Sequence, residues 1–291
     1  LSIRVLNPYS NEPLPWLRGN LHAHTTNSDG TRHPQTVIDE YAARGYGFLM
    51  ISDHDFLTNP AEFDDRGMVL VPGNEVTANG PHCLHLDAKT VVEPNSDRQN
   101  VIDAINADSG VAILAHPNWE KDYAHLPRNK MEEWNHYAGI EVYNGVIRRL
   151  DGSPLATDRW DRLLGLGRKV WGYAHDDSHE HGDDGLAWNM VQTDDRSVVG
   201  VVEALRTGRF YASTGVTISR IAAHGRVVSV ETENAARIVV HSDYGHREAE
   251  INGATATITV PEDASIQYIR FECWGPGETM AWTQPFFIEQ A

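Results

Sequence analysis

The stretch Gly45-Tyr-Gly-Phe-Leu-Met-Ile-Ser-Asp-His-Asp55 decides the fold. Gly45 stops a helix that Pro34 opens and that carries Val37, Ile38, Tyr41 and Ala42 on one face. Phe48-Leu-Met-Ile51 is then a short unbroken apolar run, the pattern of a strand covered on both faces. It leads directly into Asp53-His54-Asp55. The unit therefore reads as helix, buried strand and polar strand end.

The same unit recurs along the chain. Strands are expected at Gly19–His24, Phe48–Ile51, Met68–Val71, His82–Ala88, Val111–Ala115, Gly139–Tyr143 and Lys169–Ala174. Helical spacing lies between some of them, at Val101, Ile102 and Ile105 and again at Trp160, Leu163 and Leu164. This alternation predicts an α/β fold of mostly parallel strands, able to close into a barrel. Past residue 210 the texture changes to closely spaced β-rich runs such as Arg237–His241, Ala254–Val260 and Gln267–Glu272. The expected division is residues 1–215 as an α/β unit and 216–291 as a small β-sandwich-like domain of unknown role.

Composition narrows the function. Of 291 residues 41% are hydrophobic, enough for a real core, and no apolar run is long enough to span a membrane. The formal charge of −17 argues against an extended nucleic-acid groove. The 2 cysteines, Cys83 and Cys273, are far apart and fit neither a disulfide framework nor a cysteine zinc site. A soluble, cytoplasmic protein is expected, although a chain that opens on Leu1 leaves room for a removed leader. The outstanding number is 15 histidines.

Those histidines gather at strand ends: His22-Ala-His24, Asp53-His54-Asp55, Gly73-Asn-Glu75, His116-Pro117 and His175-Asp-Asp-Ser-His179. In parallel α/β folds the C-terminal strand ends form the ligand face, so five ends would deliver His, Asp or Glu to one side. His22 and His24, two apart on a strand, would point the same way. Imidazole nitrogen with carboxylate oxygen suits zinc, manganese or iron. The ligands outnumber what one ion can use, so two or three ions sharing a bridging carboxylate and a bridging water are expected.

The series His22-Ala-His24, Ser28-Asp-Gly30, Ser52-Asp-His-Asp55, Gly73-Asn-Glu75, Ala115-His-Pro117 and Asp177-Ser-His179 resembles the PHP (polymerase and histidinol phosphatase) family of metal-dependent hydrolases. The resemblance implies a distorted (β/α)7 barrel with a trinuclear site. It assigns His22, His24, Glu75 and Asp177 to one ion. Glu75 would bridge to a second, held by His116 and a histidine after the third strand, and Asp29, His54 and His179 would hold the third. For the undetermined histidine, His85 is preferred and His82 is the alternative, since residues three apart cannot both face the site from a straight strand. Asp53 is placed beside the metal-bridging water as a catalytic residue or, like Asp55, as one that orients imidazoles. Trp160–Leu164, Val170–Gly172 and Gly208–Ser213 further resemble a branch with a β-rich C-terminal extension that includes carbamate hydrolases.

The primary expectation is a phosphoesterase acting on a small phosphorylated substrate, with Arg148, Arg149 and Lys121 as candidate anion contacts. Asn118 is a further candidate. A carboxyl-ester, carbamate or amide hydrolase is the alternative, with Trp119, Tyr123 and Trp134 as apolar walls. A domain with purely structural metals is the third reading. His33, His125, His136, His224, His241 and His246 are expected at the surface, and His181 near the ligands. Oligomeric state is not legible.

Overall fold

The computed structural model describes residues 3–290. Helix Pro34–Ala43 begins where Pro34 needs no amide hydrogen, and the His33 ring accepts the Gln35 N–H as its cap. Val37, Ile38 and Tyr41 are fully buried along it. Helix Arg98–Ala107 is capped by Asp97 and buries Val101, Ile102 and Ile105. Helix Thr157–Gly165 buries Trp160, Leu163 and Leu164. Two more, Arg128–Glu133 and Val198–Thr207, complete the α-helices among the described residues.

The strands of the first part divide between two sheets. One has five strands in the order Gly73–Val76, Cys83–Leu86, Val111–Leu114, Gly139–Asn144 and Trp171–His175. Its last three run parallel, while Gly73–Val76, Cys83–Leu86 and Val111–Leu114 are antiparallel neighbours. The other sheet has eleven strands and includes Trp16–Asn20, Phe48–Leu49 and Val69–Leu70, paired in parallel. The α/β class therefore stands, but the uniformly parallel reading does not. Gly73–Val76 is too short and polar to stand out as a strand in the sequence, and the turn that joins it to Cys83–Leu86 reverses the chain locally.

Neither sheet closes on itself. Isolated parallel bridges Ala23–Ser178 and His54–Glu75 join them instead, both at the end that carries the histidines. The strand expected over residues 19–24 runs earlier, at Trp16–Asn20, so His22 and His24 lie just beyond it. The interior of this part is packed by Leu21, Phe48, Met50, Leu84, Ile113 and Tyr173.

Strands on either side of residue 215 share the large sheet. Phe210–Ser213 pairs with Met280–Thr283, and Ile3–Leu6 pairs with Phe286–Gln290. A three-stranded sheet, Ile218–His224, Val227–Thr232 and Thr255–Thr259, contributes to a common core with Ile238, Phe271 and Phe286. A buried ion pair ties this region to helix Thr157–Gly165: Arg270 Nη2 is 2.6 Å from Asp161 Oδ2, and the Tyr268 hydroxyl donates to Asp161 Oδ1 at 2.8 Å.

Candidate metal centre

Glu75 sits at the middle of the site and is 1% exposed. Its Oε2 lies 3.3 Å from His22 Nε2, 3.4 Å from His24 Nε2 and 3.0 Å from His54 Nδ1. Its Oε1 lies 3.0 Å from His82 Nδ1 and 3.1 Å from His116 Nε2. Asp177 Oδ1 is 3.1 Å from both His22 Nε2 and His24 Nε2. Farther out, Asp29 Oδ1 is 3.3 Å from His54 Nε2 and 3.4 Å from His179 Nε2. Donor atoms about 3.3 Å apart are what a tetrahedral set around an ion with bonds of about 2.0–2.1 Å requires.

The donors fit a cation. His22 Nε2, both nitrogens of His24, His54 Nδ1 and Asp177 Oδ1 are buried and have no hydrogen-bond partner among the described residues. Polar atoms so placed are destabilising unless something binds them. Burial works against the charge of Glu75, yet His22, His82 and His116 hold its carboxyl well below the usual range. Asp177 is likewise kept ionised against its burial by His22 and His24. Burial also opposes a proton on His54, but Asp29 and Glu75 lift it to about 10. Concentrated negative charge therefore draws protons to His22, His54 and His116 against their burial, and a divalent ion would take their place.

The preferred and the alternative histidine are placed on different faces. His82, not His85, stands beside Glu75. The strand Cys83–Leu86 runs antiparallel to its neighbours, so the site end is its beginning. Alternation then groups His82 with Leu84 and Leu86, while His85 turns to the opposite face. There its Nε2 lies 3.4 Å from Asp108 Oδ2, and burial pushes its pKa down to about 4. Gly110 makes room for the ring, since a Cβ there would come 2.4 Å from Nε2. Arg98, fully buried, fixes the turn leading to His82 by donating to the carbonyls of Thr77, Ala78 and Pro81.

Asp53 is not placed for catalysis. Its oxygens accept from the Thr25 N–H and the hydroxyls of Thr25, Ser28 and Thr58, which anchors the loop carrying Asp29. Asp55 similarly accepts from Thr77 and Ala78 and touches no imidazole. Asp176 accepts the Tyr41 hydroxyl and three backbone N–H groups of residues 185–187.

Glu141 is the site residue that sequence reasoning missed. It lies at the centre of the strand Gly139–Asn144, and its Oε1 meets His22 Nδ1 at 2.6 Å and His175 Nδ1 at 2.7 Å. Its Oε2 accepts the His116 N–H at 2.7 Å and Asn144 Nδ2 at 2.8 Å. An ionised Glu141, kept so against burial by His22 and His175, places the His22 proton on Nδ1 and leaves Nε2 as the donor facing Glu75. Its signal was a lone charge in an otherwise apolar strand. His125, expected at the surface, is instead buried, and its Nε2 accepts the His82 N–H at 3.1 Å. His181 is exposed and meets Glu40, away from the ligands.

A cavity of ≈ 280 Å³ opens over these residues, and Trp119, Val146, Ile147, Arg149 and Leu150 complete its wall. Arg149 is thus at the site, gripped by both oxygens of Asp183 at 2.9 Å. Arg148 and Lys121 are exposed and outside the cavity lining. Asn118 is committed to Leu155, Asp158 and Arg159. Trp134 is a core residue, and Tyr123 lies outside the cavity. His116 and Asp177 at the site both hold positive φ, 27° and 54°.

No family model and no curated protein matches the chain. Among solved structures, it shares its fold with a two-domain protein from Bacteroides vulgatus containing a predicted PHP-like metal-dependent phosphoesterase, over 98% of each chain, at 16% identity and a TM-score of 0.52. An amidohydrolase from Chromobacterium violaceum aligns over 57% of this chain and 89% of its own, at 17% identity and a TM-score of 0.43. The lesion-specific endonuclease EndoQ from Pyrococcus furiosus aligns over 67% of this chain and 56% of its own, at 15% identity and a TM-score of 0.46. Among the described residues, no helix is long and apolar enough to cross a membrane.

Proposed function

We propose that this chain is a metal-dependent phosphoesterase of the PHP type, cleaving a small phosphorylated substrate with two or three divalent ions of zinc, manganese or iron. The observation that carries the reading is Glu75, whose two oxygens face different imidazole sets, as a shared carboxylate must. His22, His24, Asp177 and Glu75 would hold one ion, Glu75, His82 and His116 a second, and Asp29, His54 and His179 a third. The two open sheets, pinched together by bridges at the site end, are read as the distorted (β/α)7 barrel of residues 1–215. Residues 216–291 are then the β-rich domain.

When bound, such ions supply an activated water and neutralise a phosphoryl group. The chain's own residues prepare the site for both. Glu141 fixes the His22 tautomer, and Asn144 Nδ2 holds Asp177 Oδ2 at 3.1 Å, so the donor atoms are oriented before substrate arrives. Arg149, immobilised by Asp183, presents the rest of its guanidinium to an anion. In the reaction the water oxygen bonds phosphorus, the P–O ester bond breaks, and the products are the alcohol and inorganic phosphate.

Phosphate release from a phosphomonoester panel, by protein stripped with chelator and then resupplied with manganese, zinc or iron, tests the proposal. Release only after resupply is expected. No release from any ester by fully metal-loaded protein refutes it. The apolar wall would serve a carboxyl ester equally well, and hydrolysis of benzyl acetate without any phosphoester activity would select that reading.

A further inference from the structure

The cavity has two ends of different character. Arg149 belongs to the His179 end, because Asp183, which grips it, also accepts the His179 N–H at 3.0 Å. The Trp119 ring belongs to the other, with its centroid 5.0 Å from the His116 ring and 5.7 Å from that of His82. Val146, Ile147 and Leu150 continue the wall without a single hydrogen-bonding side-chain group.

This wall is built into the fold. The Val146 N–H donates to the Asp176 carbonyl at 2.9 Å, which hangs its turn on the strand end that supplies Asp177. Trp119 bridges to Gly152, and the Glu120 N–H donates to the Asp151 carbonyl at 3.1 Å, so the two wall segments are bound to each other. Gly152 permits the approach: with φ of 110°, a Cβ there would lie 2.3 Å from the Asn118 carbonyl oxygen. Leu150 remains 41% exposed at the mouth, an apolar side chain left facing solvent beside a charged site.

Resting on the phosphoesterase reading, we infer that the substrate is a small phosphomonoester of an apolar alcohol, its phosphoryl group toward Arg149 and the ions that the carboxylates would hold, and its hydrocarbon against Trp119, Val146, Ile147 and Leu150. A polyol in the same place would lose its water partners without replacement. A cavity of ≈ 280 Å³ admits about one ring besides the phosphoryl group, at the lower limit of ligand pockets.

The experiment compares benzyl phosphate with glycerol 3-phosphate, using metal-loaded protein. Both release alkanols, so contact with the wall rather than leaving-group acidity separates them. A kcat/KM at least about ten-fold higher for benzyl phosphate is expected, and a smaller ratio in Leu150→Asn. Equal kcat/KM, or preference for glycerol 3-phosphate, overturns this inference while leaving the phosphoesterase intact. An unchanged ratio in Leu150→Asn and in Ile147→Thr overturns the placement of the hydrocarbon. No phosphate from either ester, with release from another phosphomonoester of the panel, overturns the inference alone; no release from any ester sinks both the inference and the activity it rests on.

Discussion

Replacing Glu141 with glutamine keeps the shape of the side chain, removes its charge and leaves its four donors short of acceptors. In the native chain Oε1 receives two imidazole Nδ1 groups, and Oε2 receives the His116 N–H and an Asn144 amide. A glutamine has one acceptor oxygen and must turn its NH2 toward one of these pairs. Turned toward the imidazoles, it needs Nδ1 of His22 to accept, which moves the His22 proton to Nε2 and closes the nitrogen facing Glu75 and Asp177. Turned the other way, it sets donor against donor at His116 and frees Asn144 from its place beside Asp177. Either orientation weakens the donor set, and losses for such orienting groups are about 10–100-fold in metal affinity, or about 1.4–2.8 kcal/mol. Competition with a chromophoric chelator on metal-depleted protein measures the effect. An affinity equal to that of the unaltered protein would refute the assignment of the tautomer to Glu141.

Other expectations rest on particular contacts. His82→Ala should reduce bound metal per chain in elemental analysis while His85→Gln should not; the reverse result would reinstate His85. Asp161→Ala leaves Arg270 buried with only Glu272 at 3.4 Å, so a loss of about 3–5 kcal/mol and on the order of 10 °C in Tm is expected in calorimetry. An Asp161→Leu/Arg270→Met double variant should recover most of it, and an undisturbed Tm in the single variant would contradict the pairing. Burial raises the Glu272 pKa, but His241 and Arg270 bring it down to about 2 from an ordinary 4.5. Its ionised form therefore stabilises the fold above about pH 4.5, and that contribution disappears as pH falls toward 2. Glu272→Gln should flatten acid unfolding in that window, and an unaltered profile there would count against it.

Part of the candidate site was legible because some of its residues follow apolar runs readable on their own: Phe48–Ile51 announces His54, and Val111–Ala115 announces His116. Direction was not legible at Cys83–Leu86. Choosing between His82 and His85 required knowing that this strand opposes Gly73–Val76, and pairing is a tertiary fact. Glu141 could have been flagged as an isolated charge among Gly139, Ile140, Val142 and Tyr143, but its two imidazole partners, His22 and His175, are far from it in sequence. The same holds for Asp53, which Ser52-Asp-His-Asp55 suggests as a catalytic or imidazole-orienting group and which is occupied by hydroxyls from residues 25, 28 and 58. Among the arginines, sequence placed Arg148 and Arg149 side by side, and only the turn Val146–Arg149 shows which one enters the cavity.

Anomalous diffraction from crystals grown with saturating manganese and inorganic phosphate bears most directly on the metal centre. Ions are expected between His22, His24, Asp177 and Glu75 and between Glu75, His82 and His116, with phosphate in contact with them and with Arg149. Absence of anomalous signal around Glu75, or signal confined to residues outside this set, would contradict the assignment.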